Sequence, residues 1–406
     1  MAKANSYNIG CDDSEKMLHV CKSITMVSQQ RIFFDFLQFC ISSVADIPAS
    51  VKDADWKVLY VIAKKQALIG VLFYGIRRLP KELAPEQKLL MQWMVMAEQI
   101  RKQNIRLFQD SVKVCQNFEN EGFANCILKG QGNALLYPDP YMRTPGDIDI
   151  YLTGGRKRVM QYINKVCPNQ VMRYHHVDFP VMKTAIEVHF TPSYMFYPIH
   201  NRRMQKWFEE VMGEQCNHRV SLPDGYGEIQ VPQVSFNVIY ILYHLYRHIF
   251  TEGIGLRQLL DYYYVLVKWH TDLTNLTDSN NSLPQMTQIS TDLDALRHEL
   301  KYLGLWKFAG AVMFVMKEVF GLSEDRMIAP MDEKEGRFLL DEIMRGGNFG
   351  QYDDRMGRKV GESKIHRYFR MNLRNLRFVK HYPTEALSEP LFRTWFAVWK
   401  KIHGIK

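Results

Sequence analysis

Apolar residues recur every three or four positions from about Ile24 to Gly122, and this spacing predicts a series of amphipathic helices. The pattern changes between Gly122 and about Phe190, where four short segments are rich in β-branched and aromatic residues: FANCILKG, DIDIYL, QVMRYHHVDFPV and TAIEVHF. An apolar turn and helix over 132–137 and a basic helix over 155–166 separate these segments. This part of the chain therefore predicts a small sheet with helical connections.

Helical spacing returns beyond Asn201. We predict helices over 236–250, 256–269, 293–320 and 333–345, and a polar surface loop over 271–284. A small group of strands between helical regions predicts an α+β protein. The expected regions are an N-terminal helical region (1–121), an α/β core (122–232), a helical domain (233–350) and a basic tail (351–406).

Length and composition limit the class of protein. With 406 residues, of which 47% are hydrophobic, the chain can form two or three packed units, and wholesale disorder is excluded. The seven cysteines are scattered and never spaced as CxxC, so they predict thiols of a reducing compartment and neither a disulfide framework nor a zinc site. The N-terminal sequence lacks the apolar segment of a secretory signal, and the longest uncharged apolar run, about 231–246, is too short for a transmembrane segment. We expect a cytoplasmic protein.

The net charge of +9 is concentrated at one end of the chain. Residues 355–406 contain thirteen lysines and arginines against three glutamates, a net +10, which leaves about −1 for everything before them. Four arginines of this tail recur at helical spacing and form one ridge: Arg367, Arg370, Arg374 and Arg377. Such a basic amphipathic helix binds anionic lipid or nucleic acid, packs against acidic residues of its own protein, or packs onto the core with its arginines in solvent.

Two aspartates interrupt the apolar segment DIDIYL. Residues i and i+2 of a strand point to the same face, so Asp147 and Asp149 project together while Ile148 and Ile150 face the opposite side. Two carboxylates this close repel each other and need a counter-charge, which a divalent cation such as Mg²⁺ would supply. The alternative is that both carboxylates lie in solvent at a frayed strand edge.

Residues before this pair favour a phosphate site. The segment 126–130 predicts a strand that ends at a turn opening a helix, where Gly130 and Gly132 would let backbone amides approach phosphate oxygens. Lys129 would add a mobile positive charge there. Arg143, in the loop before the aspartates, either offers a bidentate fork to phosphate or is an ordinary surface arginine.

A third acid lies on the later predicted strand 184–190, where Glu187 and His189 share one face. A glutamate within so apolar a strand is disfavoured unless it has a partner. Beside Asp147 and Asp149, it would complete a metal-binding triad and could accept a proton from an attacking hydroxyl. His189 is either a ligand or base, or a residue that supports its neighbours.

The helical half contributes further polar residues. His244, Arg247 and His248 stand at i, i+3 and i+4, and Arg257 and Asp261 form an i, i+4 pair that predicts an ion pair. These residues form either a polar seam between helices or a second wall of the same site.

Taken in order, these motifs resemble the uncharacterised nucleotidyltransferase family of the DNA polymerase β-like superfamily. The shared elements are the Lys-Gly turn at 129–130, the Tyr-Pro-Asp-Pro segment at 137–140, Arg143, the Asp-x-Asp pair and the Ile-Glu-x-His segment at 186–189. His248, GIGLRQLLD at 253–261 and GGNFG at 346–350 extend the resemblance over about 122–350. One departure is that Lys129-Gly130-Gln131 replaces the Gly-Ser that usually opens the phosphate-binding helix of the superfamily.

The resemblance implies a polymerase-β-like mixed sheet flanked by helices, and Mg²⁺- or Mn²⁺-dependent transfer of a nucleoside monophosphate from an NTP. It assigns metal binding to Asp147, Asp149 and Glu187, and phosphate binding to Lys129, Gly130 and Arg143. The hydroxyl acceptor would be a small molecule, an RNA or a protein. Two other hypotheses stay open: a degenerate transferase that binds nucleic acid or anionic membrane through its basic tail, and a toxin-like transferase that modifies tRNA or protein hydroxyls.

Overall fold

The computed structural model of the protein describes residues 12–279, 285–355 and 363–403. The helices that precede the sheet, or connect its strands, are α1 (Asp12–Ile41), α2 (Trp56–Lys65), α3 (Ile69–Ile76), α4 (Gln87–Asn120), α5 (Gly130–Ala134) and α6 (Gly155–Val166). The later helices are α7 (Pro198–Gln215), α8 (Val234–Thr251), α9 (Leu256–Ser279), α10 (Gln285–Tyr302), α11 (Trp306–Phe320), α12 (Glu333–Gly346), α13 (Lys364–Val379) and α14 (Pro383–Ile402).

A four-stranded sheet lies between these two groups of helices. Its strands are β1 (Asn125–Leu128), β2 (Ile148–Leu152), β3 (His176–Asp178) and β4 (Ile186–His189), in the order β1-β2-β4-β3. The central pair, β2 and β4, is parallel, and each outer strand is antiparallel to its neighbour. A separate hairpin is formed by β5 (Arg219–Ser221) and β6 (Glu228–Gln230). The small mixed sheet among many helices confirms the predicted α+β class.

Two apolar cores hold the elements together. The smaller core covers one face of the sheet, where Ile148 and Ile150 of β2 pack with Val159 and Ile163 of α6. The larger core is helical and joins residues from both ends of the chain, including Phe33 of α1 and residues of α8, α9 and α11. The N-terminal helices therefore pack against the later helices, although the sheet separates them in sequence.

Two predicted boundaries are wrong. The predicted loop over 271–284 is helical as far as Ser279, because α9 continues, and residues 280–284 lie outside the described part of the chain. Polar composition suits an exposed helix as well as a loop, so it does not distinguish the two. The predicted helix over 293–320 is divided between α10 and α11, and Gly304, with a φ of +80°, lies at the break.

Three of the four ridge arginines contact the protein itself, which favours the interpretation that this helix packs against its own protein. Arg374 is buried, with its Nε 3.5 Å from Asp353, and Arg377 pairs with Glu342. Arg370 donates to the backbone carbonyl of Arg355 at 2.6 Å. The side chain of the fourth arginine, at position 367, lies outside the described residues. The acidic partners come from elements whose proximity the helical spacing of the arginines does not reveal.

Helix α14 is anchored to the α/β region. The buried Glu385 accepts hydrogen bonds from the backbone N–H groups of Phe196 and Tyr197, at 2.9 and 3.0 Å, and pairs with His200. Further along α14, Phe392 packs against Tyr194 with the ring centroids 5.1 Å apart. Among the described helices, none has both the length and the apolar character needed to cross a membrane.

Candidate active site

A cavity of about 240 Å³ lies between the sheet and the helices α8 and α9. Of the site residues predicted from the sequence, all except Gly132 line it: Lys129, Gly130, Arg143, Asp147, Asp149, Glu187, His189, His244, Arg247, His248, Arg257 and Asp261. They come from β1, β2, β4, α8, α9 and the connecting loops, so the fold brings together residues that are more than 130 positions apart. Their chemical roles stay predictions.

The three acids lie where the two central strands meet. Asp149 of β2 is directly opposite Glu187 of the parallel strand β4. Asp147 immediately precedes β2, which begins at Ile148, so the observed strand is one residue shorter at this end than the predicted strand. Asp149 is buried, whereas Asp147 is exposed. The two aspartates therefore have different surroundings despite their close spacing.

Both carboxylate oxygens of Asp149 have partners. Lys129 donates from Nζ to Oδ2 at 3.0 Å, and His189 donates from Nε2 to Oδ1 at 2.9 Å. Burial by itself would raise the pKa of Asp149, but Lys129 and His189 together lower it well below its usual range. Burial would likewise lower the pKa of His189, but its hydrogen bonds to Asp149 and Glu187 raise it. Asp149 is thus held as a carboxylate.

Asp147 has the opposite electrostatic situation. The negative charge of Asp149 is the main cause that raises the pKa of Asp147 to about 6. Partial desolvation in the cavity and the charge of Glu187 add to the increase, and Lys129 partly compensates it. No ion pair joins Asp147 to any residue that the structure describes. The neighbourhood of Asp147 therefore favours an additional positive charge.

Lys129 has a strained backbone. Its φ of +56° and ψ of −121° lie outside the regions that non-glycine residues favour, and such conformations concentrate at functional sites. The turn directs Nζ towards Asp149 and to within 3.3 Å of Nε2 of His244. Burial, and then the charge of Lys129, lowers the pKa of His244 well below its usual value, so a neutral imidazole accepts this contact.

The helix after this turn differs from the expectation. α5 has only five residues, and a Cβ placed on Gly132 would lie 2.8 Å from Cγ1 of Val231. The absence of a side chain at Gly132 therefore permits close packing against Val231, which corrects its predicted approach to phosphate. Gly130, with a φ of +39°, does line the cavity.

Arg143 is buried and is not the surface arginine of the alternative interpretation. Its Nε and Nη2 donate to the two oxygens of Asp261 at 2.7 and 2.8 Å, and Tyr137 donates to the same carboxylate at 2.7 Å. Arg257 completes this group, with Nη1 3.8 Å from Asp261, as the i, i+4 spacing predicts. Nη1 of Arg143 is buried without a hydrogen-bond partner among the described residues, so one edge of the guanidinium remains for a ligand.

Helix α8 forms the second wall of the cavity. Arg247 donates from Nη2 to Nε2 of His248 at 2.8 Å, and Nδ1 of His248 lies 3.3 Å from Glu252. The contact between His248 and Glu252 lowers the pKa of Glu252 to about 2. The ring of Phe349 lies against both His248 and Arg257, with 5.7 Å between the ring centroids in the first case. The polar residues of the helical half therefore belong to the cavity.

Two histidines of the site were missed from the sequence. His176 of β3 places Nδ1 3.1 Å from Oε2 of Glu187, and its neighbour His175 lies 5.1 Å from His189, between ring centroids. The adjacent pair within a β-rich segment was the available signal. Asp149, Glu187 and His189 have ligand atoms within 4.8 Å of one another, as do the three histidines, so each group could hold a metal ion.

A second cavity, of about 660 Å³, adjoins the first and shares Lys129 and Asn133 with it. It extends along α8 and α9 to Asn237 and Trp269. Nδ2 of Asn133 and Oδ1 of Asn237 are buried without a hydrogen-bond partner in the described structure. The cavity thus contains one free amide donor and one free amide acceptor in a largely apolar wall.

Comparisons with known proteins give one match. The family model described as uncharacterised nucleotidyltransferase matches residues 52–321, which is more than half of the chain. No match was found among curated proteins or among solved structures. The match begins within the N-terminal helices and ends just after α11, so it includes every residue that lines the cavity except Phe349. The chain belongs to the uncharacterised nucleotidyltransferase family.

Proposed function

We propose that the protein transfers a nucleoside monophosphate from an NTP to a hydroxyl acceptor in a reaction that depends on Mg²⁺ or Mn²⁺. The observation that carries the proposal is the opposition of Asp149 and Glu187 across parallel strands, with Asp147 beside them in the same cavity. Family membership supports the class of reaction, and the geometry supports the assignment of residues.

The acids fit a hard divalent cation. Carboxylate oxygens are the protein ligands that Mg²⁺ prefers, together with substrate phosphates. The raised pKa of Asp147 reflects repulsion by Asp149, which a bound cation would relieve. Asp147, Asp149 and Glu187 would hold the metal. Bound cations would neutralise phosphate charge and make the acceptor hydroxyl more acidic.

The other residues have distinct parts in this proposal. Lys129 and the free edge of Arg143 would bind phosphate oxygens, and Glu187 would accept the proton of the acceptor hydroxyl. The acceptor oxygen forms a bond to the α-phosphorus while the bond to the leaving pyrophosphate breaks. His189 would act as a positioning residue, because its hydrogen bond fixes the orientation of Asp149.

The second cavity offers a place for the nucleoside half of the NTP. Asn237 lies seven residues before His244 on α8, which corresponds to about 10 Å along the helix axis. Ligand sites are commonly apolar with a few placed polar groups, and the amides of Asn133 and Asn237 would supply one donor and one acceptor for a base edge. No acidic residue of the proposed metal site lines this cavity.

The degenerate-transferase alternative is less well supported. It requires the tail arginines to meet an external anion, but Arg374 and Arg377 already pair with acidic residues of the protein. It also gives no reason for three acids to converge in one cavity.

Calorimetric titration of Mg²⁺·NTP tests the proposal. Asp147→Asn and Asp149→Asn should each reduce the affinity strongly, since each removes a ligand charge with little change in volume. Asp341→Asn, which changes an exposed aspartate of α12 that does not line the cavity, is the matched control and should leave the affinity unchanged. Unchanged affinity in both site variants would refute the metal assignment. A screen of labelled NTPs against small molecules, RNA and protein extracts would then identify the acceptor.

A further inference from the structure

The two C-terminal helices expose rows of large apolar side chains. On α14 the row consists of Leu387, Leu391, Trp395, Val398 and Ile402, and on α13 it consists of Phe369, Leu373 and Leu376. The spacings of three and four residues place each row on one face of its helix. Between 50% and 74% of the accessible surface of each of these side chains is exposed. Rows of exposed apolar side chains of this kind are typical of an interaction site.

The charges near these rows are one-sided. The only acidic residues between 363 and 403 are Glu385 and Glu389, and both are buried. Lys380 is exposed and continues the α13 row at i+4 from Leu376, and Lys401 is exposed beside the end of the α14 row. The described surface of this helical hairpin therefore combines apolar and cationic side chains without an exposed carboxylate side chain.

We propose that this hairpin is a docking surface for an anionic lipid bilayer. The apolar rows would enter the boundary between headgroups and acyl chains, and the lysines would contact lipid phosphates. A second copy of the chain is a poorer partner, because it would bring the same cationic helices against each other. No described helix is suited to span a bilayer, so the hairpin would lie on the membrane surface. The binding face is the apolar row, not the inward-facing arginines.

Sedimentation of the full chain with vesicles tests this inference. We expect binding to phosphatidylglycerol vesicles, weaker binding to phosphatidylcholine vesicles, and a loss of affinity in high salt because the lysine contribution is screened. The variant carrying Leu391→Gln and Val398→Gln should bind at least about tenfold more weakly, since two buried apolar side chains are lost from the bilayer. Met91→Gln with Val95→Gln, an exposed i, i+4 pair on α4, is the matched control and should bind like the original protein.

Both variants change exposed positions, so their thermal midpoints should match that of the original protein, which separates lost docking from unfolding. No binding to anionic vesicles, or equal binding to both lipids, would overturn the proposal. Vesicle binding by the α14 variant that equals binding by the α4 control would overturn it as well. Self-association that the α14 variant abolishes, without vesicle binding, would instead assign the surface to a second copy and would also contradict the proposal.

Discussion

Asp149→Asn should destabilise the protein, whereas Asp147→Asn should leave its stability unchanged or increase it slightly. Asp149 neutralises Lys129 and His189 through contacts of 3.0 and 2.9 Å, and it is buried. Removing its charge leaves the half-buried Lys129 and the buried His189 without their nearest carboxylate. Asp147 instead carries a carboxylate that Asp149 repels, which raises its pKa to about 6. Removing that charge relieves repulsion.

The expected magnitudes follow from these surroundings. Loss of one partner from a buried ion pair costs about 3–5 kcal/mol, and the amide oxygen of asparagine preserves only part of the hydrogen bonding, so we expect Asp149→Asn to cost about 3 kcal/mol. Asp147 is exposed, and solvent screening limits the gain from Asp147→Asn to about 1 kcal/mol or less. The two variants should therefore differ by about 3 kcal/mol or more.

Urea unfolding at pH 7.5 with EDTA present measures this difference without metal binding. Asp147→Asn should unfold at the same or a higher urea concentration than the original protein, and Asp149→Asn at a clearly lower one. Asp341→Asn serves again as the control for an exposed aspartate. Equal midpoints for the two site variants would refute the ion pairs assigned to Asp149. A midpoint for Asp147→Asn below that of the original protein would refute the repulsion assigned to Asp147.

Four further predictions concern the proton acceptor, the second cavity and two residues of the tail. Glu187→Gln should lower turnover at saturating Mg²⁺·NTP by about 10² or more in a labelled-NTP assay, because the proton acceptor is lost; retained turnover would make Glu187 structural. Asn237→Leu should weaken Mg²⁺·NTP binding in calorimetry but not Mg²⁺·tripolyphosphate binding, because only the former has a nucleoside; equal effects on both ligands would contradict the nucleoside assignment. Arg374→Gln should lower the urea midpoint, since it leaves the buried Asp353 short of a partner. Burial alone would raise the pKa of Asp353, but Arg355 and Arg374 lower it to about 2. The stabilising contribution of Asp353 should therefore be present above pH 4 and lost as the pH falls through 2. An acid unfolding curve unchanged by Asp353→Asn would contradict this.

Local features of the chain were predictable from the sequence. The strand and turn that end at Lys129, the basic helix over 155–166 and the strand containing Glu187 lie where the pattern predicts them, since each depends on spacing within about a dozen residues. The Asp-x-Asp pair and the Ile-Glu-x-His segment were also visible as departures from an apolar run. The error at α9 arose where polarity alone had to distinguish an exposed helix from a loop, and the error at α10 and α11 arose at Gly304, whose positive φ interrupts the predicted helix.

Only the tertiary structure decided which charges face each other. The predicted phosphate ligand Arg143 is largely engaged by Asp261, 118 residues later, and Arg374 and Arg377 of the tail are turned towards Asp353 and Glu342. The sequence by itself determined the residues available and the face of each element on which they lie, because backbone periodicity is local. It did not determine their partners, because a long-range ion pair forms only where packing of the apolar faces has brought two distant elements together. In this protein that packing turns Arg374 and Arg377 of α13 inward and leaves the apolar row of the same helix exposed.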